Sequence, residues 1–410
     1  MHQFLSVVLL CVFVAAQKTE LDSPENLYMF RSFRKWVFNN FGGDQLHRPT
    51  RHYLQQLQKQ LSPDIPFPCN VTGGRSLKIP DSVHRLRPGD IDVIAAMGDS
   101  VTAGTGVFAQ KMMQLLIENR GVVGSIGGQE NWRTFLTLPN ILKEYNPNLV
   151  GYSCGDSLIY HQDSHFNVAE TGAMAKDMPF MAKYLVDRMK QDSRVKIKEH
   201  WKLISILIGH NDLCTEVCYA PSPSSILKTY RSDLITTLRI LRDNLPRTFV
   251  VVIMLPSFDT YIDAMKNQPI LRCYIMTRFF CPCLFNLHYQ DQISEYFDIL
   301  KRWADVEEDV VNYPEFNTED FTVVSSPVLQ NYVPPLTEDG QLDMTNFSYD
   351  CFHPVQKTNA RYANALWNSL LEPVGNKSRG LRQEYEKFLC PTSEKPFLMT
   401  RENSHEGWEK

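Results

Sequence analysis

The chain has 410 residues, of which 43% are hydrophobic and 21% are charged, and its net charge is -4. This composition is typical of a globular protein with a substantial core and excludes intrinsic disorder as the main state. Because basic residues are not in excess, the sequence has no general attraction for nucleic acid or for an anionic membrane, and we expect no nucleic-acid partner.

The first residues are typical of a secretory leader. Phe4 to Ala16 is almost wholly apolar, and Val14, Ala15 and Ala16 supply small side chains for signal cleavage. A buried strand or an anchor is the alternative, but the run is shorter than the ~20 residues that span a bilayer. We predict a signal peptide over residues 1–16. Because Pro396–Lys410 is polar, we also predict a secreted chain without a C-terminal anchor.

The cysteines favour an oxidising compartment. Of the 10 cysteines, Cys11 falls in the predicted leader, and the odd number that remains leaves one thiol free or paired outside the chain. A zinc site at Cys214, Cys218, Cys281 and Cys283 is an alternative, but an exported chain favours disulfides. We predict no metal and no cofactor.

Asn-x-Ser/Thr sequons begin at Asn70, Asn346 and Asn376. In an exported chain, each is a candidate acceptor for an N-linked glycan.

Residues 17–82 form a polar, aromatic-spotted segment, in which Phe33 and Trp36 lie beside the basic Arg34 and Lys35. An amphipathic helix that touches a membrane is one interpretation. We favour the other, an N-terminal helix that packs on the main domain. Prolines and a glycine pair then indicate an irregular connection.

Beyond this segment, short apolar runs alternate with helical periodicity, which indicates βαβ units. The predicted strands are Ile91–Met97, Leu203–Ile208 and Phe249–Met254, and the predicted helices are Ser224–Leu245 and a final helix that starts near Pro354. We therefore predict an α/β fold with a central parallel sheet. The predicted hydrolase domain covers residues 83–375, and residues 376–410 form an extension packed on it or trailing from it.

Polar residues suited to nucleophilic catalysis follow the first strand and precede the last helix. Ser100 follows Gly98 and Asp99, and a serine needs a histidine to take its proton and a third group to hold that imidazole. His353 could supply the histidine, and Asp350 could supply the group that holds it. Taken singly, these residues also fit a capped strand-to-helix turn and a surface ion pair. The Gly-x-Ser-x-Gly elbow is excluded because Thr102 occupies its last position.

Two further polar groups could donate hydrogen bonds to an oxyanion. The Asn211 amide follows the second strand, and Gly172 could offer its backbone N–H. An Asx turn and simple turn chemistry are the alternatives. We expect His210 to line the cleft or pack beside it rather than act as a second base.

The motifs Gly98-Asp99-Ser100, Gly172, Gly209-x-Asn211-Asp212 and Asp350-x-x-His353 occur in the order of the four blocks of GDSL (SGNH) hydrolases, and the chain resembles that family. The resemblance implies a flavodoxin-like three-layer α/β/α sandwich. It also implies a Ser100–His353–Asp350 catalytic triad, with the Ser100 N–H, the Gly172 N–H and the Asn211 amide as oxyanion donors.

Three stretches, Ser82–Pro88, Leu138–Leu142 and Trp201–Cys214, look like the phospholipase B branch of this family. That resemblance implies metal-free hydrolysis of phospholipid and lysophospholipid esters, with transient contact with a membrane surface. The chain departs from the membrane-bound members of the branch, which carry tandem repeats and a C-terminal anchor. Carbohydrate O-acetyl ester hydrolysis, acyl transfer to an alcohol and catalytically silent lipid binding remain open.

Overall fold

The computed structural model describes residues 24–41, 50–266 and 268–405, so the predicted leader at residues 1–16 lies outside the described residues. Its centre is a parallel sheet of the strands β1 (Ile91–Gly98), β2 (Trp201–Leu207), β3 (Thr248–Ile253) and β4 (Phe321–Ser326), in the order β1-β2-β3-β4. The three strands predicted from apolar runs are confirmed. The register pairs Gly98 with Leu207, so β1 and β2 end at the same edge.

Helices connect and cover the strands. They are α1 (Pro24–Phe41), α2 (Arg51–Gln55), α3 (Ser100–Ala103), α4 (Leu138–Tyr145), α5 (Met178–Gln191), α6 (Ser225–Asn244), α7 (Asp259–Lys266), α8 (Leu271–Phe280), α9 (Pro282–Phe285), α10 (Ile293–Val311) and α11 (Gln356–Leu371). Short 3₁₀ turns cover Val83–Arg85, Pro88–Asp90, Met112–Leu116, Arg120–Val122, Gln162–Ser164, Ala175–Asp177, Leu287–Gln292, Pro314–Phe316, Met344–Asn346 and Glu402–Ser404, and a π-helical turn covers Asp212–Glu216. No helix within the described ranges is long and apolar enough to cross a bilayer.

The last strand shows that helices cover opposite faces of the sheet. Successive side chains of a strand point to opposite faces. Ser325 donates to Glu308 of α10 at 2.6 Å, whereas Ser326 shares a hydrogen bond of 2.8 Å with Ser369 of α11. The α10 and α11 helices therefore lie on different faces, which confirms the predicted three-layer α/β/α arrangement.

An irregular segment takes the place of a fifth strand beside the outer edge of β1. The Ile94 N–H donates to Val150 O at 2.9 Å, and the Val168 N–H donates to Ala96 O at 3.0 Å. The last of these contacts joins the Glu170 N–H to Gly98 O at 3.1 Å. This pairing delivers the residues after Glu170 to the carboxyl edge of the sheet.

The terminal segments pack on this core. Arg34 and Val37 of α1 are buried, in agreement with the packing interpretation, while Phe33 and Trp36 are exposed on its other side. In the C-terminal extension, the Leu398 N–H donates to Leu86 O at 2.7 Å.

The cysteines weighed as zinc ligands form disulfides instead. The bonds are Cys69–Cys390, Cys214–Cys281, Cys218–Cys283 and Cys273–Cys351. Among the residues that the structure describes, Cys154 is the thiol outside any disulfide, and burial raises its pKa. Disulfides of this number indicate an oxidising, extracellular or lumenal compartment.

Candidate active site

The turn after β1 presents Ser100 at the first position of α3. A Cβ on Gly98 would lie 2.3 Å from Leu207 O, so only glycine allows β1 and β2 to approach so closely here. Asp99 caps α3, because its Oδ1 accepts from the Val101 N–H at 3.0 Å. The short helix then ends at Gly104, whose φ of 77° is left-handed.

The loop before α11 brings Asp350 and His353 to this serine. His353 Nε2 lies 2.7 Å from Ser100 Oγ, and His353 Nδ1 lies 2.5 Å from Asp350 Oδ2. The other carboxylate oxygen, Asp350 Oδ1, accepts the backbone N–H groups of Phe352 and His353, each at 3.0 Å. The three predicted residues therefore form one hydrogen-bonded chain, which can carry a proton from the hydroxyl to the imidazole.

Burial and charge have opposite effects on the pKa values of this pair. Burial would lower the pKa of His353, but the Asp350 carboxylate outweighs it and raises that pKa above its ordinary value of 6.5. Burial would raise the pKa of Asp350, yet the charge of His353 and the hydrogen bonds hold it below the usual value. Asp350 is thus held as a carboxylate that favours the imidazolium form of His353.

The predicted oxyanion donors are held at the same edge of the sheet. Asn211 Nδ2 donates one hydrogen to Ala173 O at 2.9 Å, which leaves its second amide hydrogen for another acceptor. Gly172 follows Thr171, whose Oγ1 lies 2.6 Å from Thr105 Oγ1 in the loop after Ser100. Gly172, at a φ of 87°, is thereby anchored between the Ser100 turn and Asn211.

Sequence reasoning missed a second Asp–His pair beside the triad. His210 Nδ1 lies 2.8 Å from Asp99 Oδ2, and both side chains are buried. His210 therefore stands beside the cleft, as expected, but it also links the turn after β1 to the turn after β2. The position of Asp99 next to Ser100 is visible in the sequence and could have indicated a role at the site. Its contact with His210 could not be predicted, because it depends on the pairing of β1 with β2.

A buried ionic network, also missed, supports the segment that carries Gly172. Glu118 accepts from Thr171 Oγ1 at 2.8 Å and from Arg120 Nη2 at 2.7 Å. Arg34 of α1 donates to Glu170 Oε1 at 2.7 Å and also contacts Glu118. Burial would raise the pKa of Glu118, but the two arginines lower it overall. Arg34, Glu170 and the Glu118–Arg120 pair lie far apart in the sequence, so no local pattern indicated the network.

An apolar cavity of about 110 Å³ lies beside the catalytic residues. Its wall contains Val101, His210 and Phe352, which are the chain neighbours of Ser100, Asn211 and His353. The cavity therefore lies directly against the segments that carry the catalytic residues.

The α8 helix borders the site and is covalently tied to it. The ring centroids of Phe280 and His353 are 6.1 Å apart, in an edge-to-face arrangement. Cys273 of α8 is bonded to Cys351, which lies between Asp350 and His353 in the sequence. Cys281, which follows α8, is bonded to Cys214 in the π-helical turn after Asn211.

The candidate glycan acceptors differ in their surroundings. Asn70 and Asn376 are exposed. Asn346 is buried, and its Nδ2 donates to Asp343 Oδ2 at 2.8 Å. A glycan on that nitrogen would displace this contact, so the structure argues against Asn346 as an acceptor in the folded chain.

The sequence of this chain is similar to those of known lipases and acylhydrolases. The family model described as GDSL-like Lipase/Acylhydrolase matches residues 94–366. The chain is 36% identical over 402 residues to membrane-associated phospholipase B1 of Rattus norvegicus, covering 96% of this chain and 27% of that protein. The Homo sapiens counterpart is 37% identical over 336 residues, covering 80% of this chain and 22% of the relative. The chain thus spans about a quarter of the length of these curated relatives.

Among solved structures, phospholipase A1 from Streptomyces albidoflavus NA297 matches with a TM-score of 0.31 and 14% identity, covering 66% of this chain and 95% of that one. A variant of an acetyl xylan esterase from Geobacillus stearothermophilus matches with a TM-score of 0.32 and 13% identity, covering 68% and 94%. Likenesses at this level carry no argument about substrate. The family model, which covers most of the chain and includes both Ser100 and His353, shows that the chain belongs to the GDSL-like lipase/acylhydrolase family.

Proposed function

We propose that this chain is a serine esterase that hydrolyses the acyl esters of phospholipids and lysophospholipids and releases fatty acid. The observation that carries the proposal is the buried hydrogen-bonded chain from Ser100 through His353 to Asp350. The lipid substrate is supported by the identity to proteins named phospholipase B1 over most of this chain.

In the proposed mechanism, Ser100 Oγ attacks the ester carbonyl carbon while its proton passes to His353 Nε2. Asp350 stabilises the imidazolium and holds the ring by its Nδ1–H. His353 then protonates the leaving alcohol, which departs from the acyl-enzyme. The same histidine takes a proton from water, whose oxygen attacks the acyl carbon. His353 returns that proton to Ser100 Oγ as the acyl–serine bond breaks and the fatty acid leaves.

The negative oxygen formed in each half-reaction needs donors that are held in place before the reaction. We assign this role to the Ser100 N–H, the Gly172 N–H and the free amide hydrogen of Asn211. Loss of one such donor typically costs about 2.7–4 kcal/mol of transition-state stabilisation. The bond from Asn211 to Ala173 supports the assignment, because it fixes the amide beside the Gly172 segment.

We also propose that the protein acts outside the cytosol and meets its substrate at lipid aggregates. The disulfides support the compartment. Asn70 and Asn376, both exposed, are the proposed glycan acceptors, and a mass loss on enzymatic deglycosylation that disappears in N70Q/N376Q would verify them.

The first experiment measures fatty acid released from phosphatidylcholine and lysophosphatidylcholine by the parent chain and by Ser100→Ala. A matched control is Ser222→Ala, which changes an exposed serine. Release by the parent and the control, with none from Ser100→Ala, is the expected result. Equal release by Ser100→Ala would overturn the assignment of the nucleophile.

Two parallel assays separate the rival activities. Labelling of Ser100 by a fluorophosphonate, with release of acetate from acetylated sugars and none of fatty acid from lipids, would favour a carbohydrate O-acetyl esterase. Absence of labelling would favour a silent lipid-binding protein. Product esters formed when an alcohol is added would instead identify acyl transfer.

A further inference from the structure

The α8 helix, Leu271–Phe280, has an unusual distribution of side chains. Its outer face carries Leu271, Tyr274, Ile275 and Phe279, which are exposed by 70%, 49%, 55% and 73%. These positions recur at helical spacing, so they form one continuous apolar strip. A helix on the surface of a water-soluble protein ordinarily presents polar residues on that side.

The inner face of α8 explains why the helix stays in place without burying its outer face. Cys273, Met276 and Thr277 are buried, and Met276 packs with Ala109 and Leu115. The disulfide from Cys273 to Cys351 adds a covalent tie to the catalytic loop. The helix is therefore held by its opposite side, and the apolar strip remains in solvent.

The charges of α8 are all basic. Arg272 and Arg278 are the charged residues of the helix, with no acidic residue among its positions. Arg278 lies over the Tyr274 ring at 3.4 Å, so its guanidinium borders the strip, and Arg272 lies over Tyr349 of the catalytic loop at 4.3 Å. Aromatic and aliphatic side chains flanked by arginine suit the boundary between acyl chains and phosphates in a lipid surface.

The position of α8 places its outer face next to the catalytic residues. Phe280, at the end of α8, contacts His353 through its ring. A surface held against the apolar strip would therefore lie at the mouth of the site that contains Ser100.

From these observations we propose that the outer face of α8, which we call the α8 strip (Leu271, Tyr274, Ile275 and Phe279), docks on the surface of a phospholipid aggregate and brings the ester bond to Ser100. This inference rests on the proposed phospholipase function. The apolar side chains enter the acyl boundary, and Arg272 and Arg278 bind phosphate groups around them.

The test uses vesicles of phosphatidylcholine with about a fifth phosphatidylglycerol and the Ser100→Ala chain, in which turnover is blocked. Ile275→Glu/Phe279→Glu, made in that background, places two charges on the α8 strip. Phe180→Glu is the matched control, because Phe180 is an exposed aromatic residue on α5. We expect the double variant to bind at least about tenfold more weakly, since burying a charge in the acyl boundary is costly, and the control to bind as the parent does.

A milder pair, Ile275→Ser/Phe279→Ser, tests the same point with little risk to folding, and we expect weaker binding in the same direction. Vesicle binding unchanged by both double variants would overturn the proposal. A parent chain that is a dimer in solution, with monomeric double variants that bind vesicles unchanged, would also overturn it, because a second copy of the chain would then occupy the strip.

Activity separates this proposal from the proposed function. With Ser100 intact, Ile275→Glu/Phe279→Glu should hydrolyse monomeric dihexanoylphosphatidylcholine as fast as the parent does. Its rate of hydrolysis of vesicle phospholipid should fall by at least about tenfold. If the parent hydrolyses no monomeric or aggregated phospholipid, the proposed function fails. Vesicle binding by the Ser100→Ala chain still decides whether the α8 strip docks.

Discussion

At the residue scale, the pair of Asp350 and His353 sets the protonation state on which the proposed mechanism depends. His353 must be neutral to accept the Ser100 proton, and its pKa is raised above 6.5. Protonation on acidification removes the base. We therefore expect kcat/KM to fall as the pH is lowered through a value above 6.5, with activity retained on the alkaline side.

A pH profile of kcat/KM with a monomeric ester checks this expectation. Asp350→Asn should move the acidic limb to lower pH, because the carboxylate that raises the pKa of His353 is gone. A limb in the parent below 6.5 would contradict the expectation that Asp350 raises the pKa of His353.

Asp350 also orients the imidazole ring of His353, so one substitution tests both its charge and its orienting role. We expect Asp350→Asn to reduce kcat by about 10⁴-fold, because the amide can favour the wrong tautomer of the imidazole. The matched control is Asp305→Asn, which alters an exposed carboxylate on α10 and should leave kcat unchanged. Equal thermal melting of the two variants would show that the loss is chemical rather than structural.

At the scale of elements, α1 is held to the domain by a charged side chain in a buried site. Arg34 and its partners Glu118 and Glu170 have side-chain exposures of 2%, 0% and 0%. Arg34→Met would remove the buried guanidinium that contacts both Glu118 and Glu170. We expect the free energy of unfolding to fall by about 3–5 kcal/mol in a urea titration.

The exposed ion pair of Arg382 and Glu386, at 65% and 50% exposure, provides the comparison. Arg382→Met should cost no more than about 1 kcal/mol, because solvent screens such pairs. Adding Glu170→Gln to Arg34→Met should recover part of the loss. Equal costs for the two arginine substitutions would contradict the importance of the buried network.

Elements also show what the sequence could predict. Strands β1, β2 and β3 are mostly apolar runs and were predicted, whereas β4 ends in Ser325 and Ser326 and was not. Those serines are buried because Glu308 and Ser369 satisfy their hydroxyls, which no local pattern reveals. The triad was predicted because family motifs mark it. The outward apolar face of α8 was not, because a helix that is apolar on most sides does not indicate which side is covered.

At the scale of the whole molecule, the Cys69–Cys390 disulfide joins the irregular N-terminal connection to the C-terminal extension. It closes a loop of 321 residues, compared with 65 for Cys218–Cys283. A longer loop removes more entropy from the unfolded chain, by about 1.4 kcal/mol for this ratio.

We therefore expect Cys69→Ser/Cys390→Ser to lower the free energy of unfolding by about 2–5 kcal/mol, and by more than Cys218→Ser/Cys283→Ser. Urea titrations of the two double variants measure the difference. The opposite order would show that strain or local packing, rather than chain entropy, sets the contribution of these bonds.

The disulfides around α8 have a consequence for how the native state fluctuates. Cys273–Cys351 and Cys214–Cys281 connect α8 to the loop of His353 and to the turn after Asn211. Segments at the rim of an enzyme commonly open on their own, at a small fraction of the global free energy. Because of these two disulfides, α8 can open only if the loop of His353 and the turn after Asn211 move with it. Amide hydrogens of α8 should therefore exchange almost as slowly as those of the central strands, and mild reduction should speed their exchange while the sheet stays protected.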